Sequence, residues 1–192
     1  MTRTTRRNRT LLIATSLLAL ALPLTAAQAQ NQGVALRPLY PPPAPQRQQP
    51  AVERHLATFD LLDFDVFSNQ RWERLHESHA KDIVVTWPDG HETKGIDTHI
   101  EDLKALFDYA PDIAIKVHPI RFGSGEWTTV TGVMTGTFTR PMPTGNGTFI
   151  QPTGKRFALP MATIGHWTNG TMDHEWLFWD SHEFMKQLGL VQ

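Results

Sequence analysis

Apolar positions along the chain switch period twice, and the switches divide it into a helical first half and a stranded second half. Leu56, Phe59, Leu62 and Val66 recur at three and four residue intervals, and Trp72, Leu75 and His79 continue that spacing after Asn69-Gln70, so two helices open the folded part. Asp82 to Trp87 alternates as a short strand, Pro88-Asp89-Gly90 supplies turn chemistry, and His91 to Lys94 should pair back as a hairpin. Ile96, Ile100, Leu103, Leu106 and Phe107 form one stripe of a third helix, which Pro111 closes. The remainder alternates with period two, in strands over Ile113 to Phe122, Glu126 to Thr139, about Phe157 to Trp167, and Met172 to Trp179. In the second of these, Val130, Met134 and Phe138 share one face and Thr129, Thr131, Thr135 and Thr137 the other. Helices grouped before an antiparallel sheet predict an α+β fold, with a strongly curved sheet wrapped around the N-terminal helices and a pocket between them.

Ahead of these elements lie two segments of different character. Residues 1–29 read as a secretory signal: Arg3, Arg6, Arg7 and Arg9 at the start, an apolar stretch from Leu11 to about Leu24, and Ala27 and Ala29 before a cleavage point. Thr15, Ser16 and Pro23 interrupt a run already short for spanning a bilayer, so the expectation is an exported protein, periplasmic or secreted, with no membrane attachment after cleavage. The route, general or twin-arginine, stays open. Residues 30–50, with Pro41-Pro42-Pro43 at their centre, are expected to be a disordered tether. That leaves 51–192 as a single domain.

Composition narrows the function classes. An exported chain without cysteine has no disulfide framework and no thiol nucleophile, so its fold rests on packing, for which six Trp and ten Phe are available. A net charge of −1 offers no basic excess for phosphates, which argues against nucleic acid as a partner.

The candidate chemistry centres on the last strand pair. Asn169-Gly170 between apolar runs is a strong hairpin signal, and it brings His166 and Asp180 onto neighbouring strands. In a regular two-residue hairpin they would fall on opposite sheet faces, so an irregularity is expected, either a three-residue loop with a Gly bulge or a bulge along one of the strands. Asp180 beside Trp176 and Phe178 has the setting of a desolvated acid/base, yet Asp180 followed by Glu183 is equally a helix cap with its capping box. Trp87, Phe138, Trp176 and Phe178 are candidate ligand-lining aromatics, or ordinary core; His91 and His118 could line the pocket or serve as surface or satisfied histidines. His76 and His79 with Glu77 between them invite a metal reading, but no third ligand stands at recognisable spacing, so a solvated helix face is expected there and no metal site.

Seven short motifs in order carry a resemblance. They are Pro88-Asp89-Gly90 with Gly95, Tyr109-Ala110-Pro111-Asp112, Gly132-Val133-Met134-Thr135-Gly136, Pro143-Thr144-Gly145, Asn169-Gly170, Glu175-Trp176 with Asp180, and Gln187-Leu188-Gly189. From about Leu56 to Gly189 the chain resembles the SnoaL-like polyketide cyclases, or ester cyclases, of the nuclear-transport-factor-two-like superfamily. The resemblance implies an α+β cone and an aspartate near the end of the last strand as acid/base for intramolecular aldol closure, beside a histidine on the preceding strand. By position these are Asp180 and His166. It implies no metal or organic cofactor. The expected function is therefore cofactor-independent ring closure or isomerisation of a small apolar carbonyl compound through an enolate, in a protein that pairs with a second copy through the outer sheet face. The alternatives from other classes are a non-catalytic module that binds a small apolar ligand or a protein, and a scaffold that only dimerises.

Overall fold

The computed structural model describes residues 49–144 and 147–192. The expected signal segment, the tether up to residue 48, and Gly145 and Asn146 lie outside them. Helix α1 (Pro50–Leu61) begins one residue ahead of the expected domain boundary, with Pro50 at the first helical position, where its missing N–H costs nothing. Val52, Leu56 and Phe59 make its buried stripe. The helix then widens into π-type turns over Leu62–Phe67, which carry Leu62, Asp63, Val66 and Phe67 inward together. Asp63 and Val66, three residues apart, lie on one side of the turn, and Leu62 and Phe67 flank them.

The expected second helix is a correction. Trp72–Glu77 forms only a 3-10 turn, and the chain is already extended at His79, the first residue of strand β1 (His79–Thr86). β1 pairs with β2 (Glu92–Lys94) across the Pro88-Asp89-Gly90 turn, and α2 (Ile96–Tyr109) follows with Leu103 and Phe107 on its buried face. The long strand expected from Ile113 to Phe122 is divided into β3 (Ala114–Ile115) and β4 (Arg121–Ser124). Pro119 between them has no N–H to give a ladder, and His118 leaves the strand line to bond Asp60 and Asp63.

β5 (Trp127–Thr137), β8 (Arg156–Thr168) and β9 (Thr171–Trp179) are the long antiparallel strands, and β6 (Met142–Pro143) with β7 (Phe149–Ile150) forms a small separate ribbon. The main sheet runs β2-β1-β9-β8-β5-β3, with β4 also on β5. β1 joins β9 in parallel, so the first and last strands of the domain are neighbours. Along β5, Thr128, Val130, Gly132, Met134 and Gly136 face inward, which matches the expected two-residue alternation. α1 and α2 lie on that concave side and close the core with Phe59, Leu75, Ile83, Phe138, Leu159 and Trp167. The result is the expected α+β cone. α3 (Ser181–Gln187) ends the chain. Among the described residues, no helix is long and apolar enough to cross a membrane.

Two irregularities interrupt the sheet register. The β8–β9 turn is the expected Asn-Gly pair, with Asn169 at φ 54° and Gly170 at φ 91°, but the register slips between His166 and Trp167, where Asp173 is the extra residue. On β1 the register against β9 slips between His79 and Val84, while His79, Ile83 and Val85 stay buried on one strand face by simple alternation.

Candidate active site

The cone encloses a cavity of about 40 Å³, lined on the helix side by Leu62, Asp63, Phe67, His99 and Leu103, and on the sheet side by His79, Trp87, Met134, Thr163, Glu175 and Trp179. Its polar end is built from three elements. Glu175 points inward from β9 because Glu175, Leu177 and Trp179 share the concave face; His79 enters from the start of β1; His99 comes from the first turns of α2. All three are buried. His79 Nε2 lies 3.4 Å and His99 Nε2 3.7 Å from Glu175 Oε2. Behind His79, Ser78 Oγ sits 2.8 Å from Nδ1 and donates its own hydrogen to the Leu75 carbonyl at 3.1 Å. The Ser78 oxygen therefore accepts from His79 Nδ1–H, which leaves Nε2 as the nitrogen that addresses Glu175. Burial alone would raise the Glu175 pKa. The hydrogen bond with His79 and the charge that His79 and His99 can carry outweigh it and hold the carboxyl below its ordinary value. Burial, with His79 nearby, pushes His99 down to about 4, and its Nδ1 is buried without a partner.

A second carboxylate reaches the same cavity from the widened turns after α1. Asp63 Oδ2 accepts from His118 Nε2 at 2.7 Å, His118 Nδ1 lies 2.8 Å from Asp60 Oδ1, and Arg121 closes the chain on Asp60 at the surface. Burial raises the Asp63 pKa against the pull of His118. His118 is raised in turn, its two carboxylate partners outweighing its own burial. One cavity thus holds two carboxyl groups whose surroundings push them in opposite directions, the usual arrangement of an acid paired with a base.

The expected pair Asp180 and His166 does not meet. The Asp173 bulge does place both on one face, as anticipated, but that face is the convex one. Asp180 follows Trp179, which pairs with Met161, and five residues of β8 separate Met161 from His166, about 16 Å at strand rise. Asp180 caps α3, its Oδ1 accepting from Glu183 N at 2.9 Å, so the cap alternative describes its contacts. It also borders a shallow outer groove with Pro88, Pro160, Phe178 and Trp179. His166 is bound to Asp173 at 2.6 Å.

Of the other expected lining residues, Trp87 lines the cavity, with Nε1 bonded to Thr93 Oγ1 at 2.9 Å and its ring edge-on to Trp179. His118 is one step behind the cavity wall. His91 stacks on the outer side of Trp87 and bonds Asp89, because the turn that carries it is solvent-exposed. Phe138 is fully buried against Tyr109, away from the cavity. Trp176 and Phe178 follow the outward parity of β9; Trp176 stacks on His174 at 3.6 Å and Phe178 is half exposed. His79 is not on a solvated helix face, since it belongs to a strand and is buried.

The residues that sequence reasoning missed in these roles are Glu175, His79, His99 and Asp63. Glu175 was visible as part of Glu175-Trp176, and strand parity with the inward Leu177 was the signal for it. His99 and Asp63 had no such signal, because their inward aim depends on the docking of α2 and on the π-type turns. Among the described residues, His79, His99 and Glu175 are the cluster able to hold a metal ion, with ligand atoms all within 4.8 Å of one another.

The fold and sequence have known counterparts. A SnoaL-like polyketide cyclase from Jannaschia sp. CCS1 superposes with a TM-score of 0.67 at 19% identity, covering 77% of this chain and 99% of that one. IdmH, assigned as a polyketide cyclase of Streptomyces antibioticus, gives 0.60 at 20% identity over 70% and 98% of the two chains. A Catenulispora acidiphila protein with a ketosteroid isomerase-like fold gives 0.55 at 14% identity over 71% and 93%. No curated protein matches the sequence significantly. The sequence model of the SnoaL-like polyketide cyclases matches residues 60–188, which takes in α1's end, the whole sheet and α3, and the chain belongs to that family.

Proposed function

We propose that this protein is a cyclase-type acid/base enzyme, acting on a small apolar carbonyl compound inside the cone, with Glu175 rather than Asp180 as the proton acceptor. The observation that carries this reading is the pair of buried carboxyl groups, Glu175 and Asp63, facing one apolar cavity with oppositely displaced pKa values. Glu175 takes a proton α to the carbonyl; the electron pair moves onto the carbonyl oxygen as an enolate; Asp63, whose pKa burial raises, donates a hydrogen bond to that oxygen when it carries a proton. The enolate carbon then attacks a second carbonyl of the same molecule, which is aldol closure, or is reprotonated elsewhere, which is isomerisation. The chemistry needs no organic cofactor.

Access is the step the geometry makes specific. The free volume of about 40 Å³ takes water but no ring. Met161 and Trp179 separate the cavity from the outer groove that holds Pro88, Phe178 and Asp180. Rotation of Trp179 would join the two, so that the groove acts as a vestibule with Phe178 and Asp180 at its rim.

The test uses 2-tetralone, a bicyclic ketone with acidic α-protons, in deuterated buffer with exchange followed by NMR. Wild type should accelerate exchange, and Glu175→Gln should lower the rate by about 100-fold or more. Equal rates in the two proteins would sink the assignment. Asp180→Ala should leave exchange intact and cost about 1 kcal/mol of stability as a lost cap. The second reading, a non-catalytic binding module, is favoured by the small cavity and by the purely structural hydrogen bond of Asp180. It predicts that 2-tetralone binds without exchange.

Two further parts of the reading rest on other features. Export is supported by the basic-then-apolar pattern of residues 1–29, and cell fractionation with N-terminal sequencing at Gln30 tests it. Pairing of two copies through the convex face is supported by the exposure there of Trp127, Val133 and Phe178, and sedimentation of wild type against Trp127→Glu tests it.

A further inference from the structure

We infer that His79, His99 and Glu175 form a binding site for one divalent first-row transition ion, with a coordination position left open to the cavity. The inference rests on the placement of the same three side chains that the proposed chemistry uses, and not on the reaction itself.

The distances argue for it first. Glu175 Oε2 stands 3.4 Å from His79 Nε2 and 3.7 Å from His99 Nε2. Charge-assisted hydrogen bonds close to about 2.7–2.9 Å, so both contacts are wider than ion pairing alone would draw them. With the third separation within 4.8 Å, a point equidistant from the three atoms lies no more than about 2.4 Å from each. Zinc bonds to imidazole and carboxylate are about 2.0–2.2 Å, which in a tetrahedron sets ligand atoms about 3.4 Å apart, close to the 3.4 and 3.7 Å seen here, so the site forms as the two imidazoles draw together.

Orientation argues for it second. The Ser78 relay to the Leu75 carbonyl fixes the His79 proton on Nδ1 and aims the Nε2 lone pair at Glu175. His79 Nε2 and Glu175 Oε2 then share either a second His79 proton, the hydrogen bond described above, or a cation that takes its place. A hydrogen-bonded partner behind a ligating histidine is the usual support of a metal ligand. Two imidazoles and one carboxylate suit zinc, cobalt, nickel or ferrous iron, and not calcium or magnesium. A cavity of about 40 Å³ has room for an ion with a water or two. The ligands come from β1, α2 and β9, which explains why no sequence spacing announces them.

An ion held here makes Glu175 a ligand and withdraws it from proton transfer, so occupancy and α-proton exchange exclude each other. The experiment takes the purified full chain, stripped with EDTA and dialysed, and titrates it with Co²⁺ while recording visible d–d absorption, followed by displacement with Zn²⁺. The expected result is one saturable equivalent in wild type. Affinity should fall at least about tenfold in Glu175→Gln and in His99→Gln. The exposed His76→Gln control should titrate like wild type. Near-UV circular dichroism separates a lost ligand from a lost fold; Glu175→Gln keeps the side-chain shape and is the decisive variant. Absence of a saturable band in wild type, or an unchanged titration in folded Glu175→Gln, overturns the site. If wild type exchanges nothing, the enolate chemistry fails while the cobalt titration still reports on the ion.

Discussion

Asp112 shows at the scale of one side chain how hydrogen bonds from one threonine, with Arg156 adding its charge, hold a carboxylate down. Partial burial raises its pKa, but the Thr137 amide donates to Oδ1 at 2.7 Å and the Thr137 hydroxyl to Oδ2 at 2.8 Å, and the net displacement is downward. A depressed folded pKa means the unfolded chain binds the proton more readily. The stability it contributes is present above the unfolded value of about 3.9 and is lost as pH falls through the folded one. Asp112→Ala should therefore cost about 1–2 kcal/mol in urea unfolding at pH 7, with the gap from wild type narrowing below pH 4. The same scale shows where reading the sequence stopped. Asp180 was legible both as acid/base and as cap, because Asp-x-x-Glu before an apolar run supports the cap on purely local grounds, and locally the cap is what forms. Glu175 is the opposite case. Its aim is set by alternation along β9, but its character comes from His79, which is 96 positions away.

Elements with a uniform period were legible and interrupted ones were not. The alternation of β5, the stripe of α2 and the Asn-Gly hairpin appear where periodicity put them. The π-type turns at Leu62–Phe67 were not foreseeable from a helical spacing that simply continues through them. The early start of β1 was hidden because His79 also fits the i+4 position after Leu75. The hairpin of β4 and β5 supplies a sharp test of element packing. A Cβ on Gly123 would stand 2.4 Å from the Trp127 carbonyl oxygen and 2.7 Å from a Val52 methyl. Backbone cannot yield as a flexible side chain can, so Gly123→Ala should lower the urea midpoint by the equivalent of about 1–3 kcal/mol. A midpoint equal to wild type would mean that α1 does not press on this hairpin.

For the whole domain, Phe59 is where helix and sheet meet. It is fully buried, and it packs edge-on to both His118 and Trp167. Phe59→Ala should cost about 3–5 kcal/mol in thermal or urea unfolding, and should weaken the Asp60–His118–Asp63 chain with it. The parallel contact of β1 with β9 has a kinetic consequence. Until the chain past about residue 170 is free, α1, β1, α2, β5 and β8 lack the strand that lies between β1 and β8. Ile83 and Val85 wait with an open edge, and the loop that must close spans about two thirds of the domain, which slows folding. Productive folding thus waits on the last strand, and the waiting edge of β1 is the surface most open to wrong pairing.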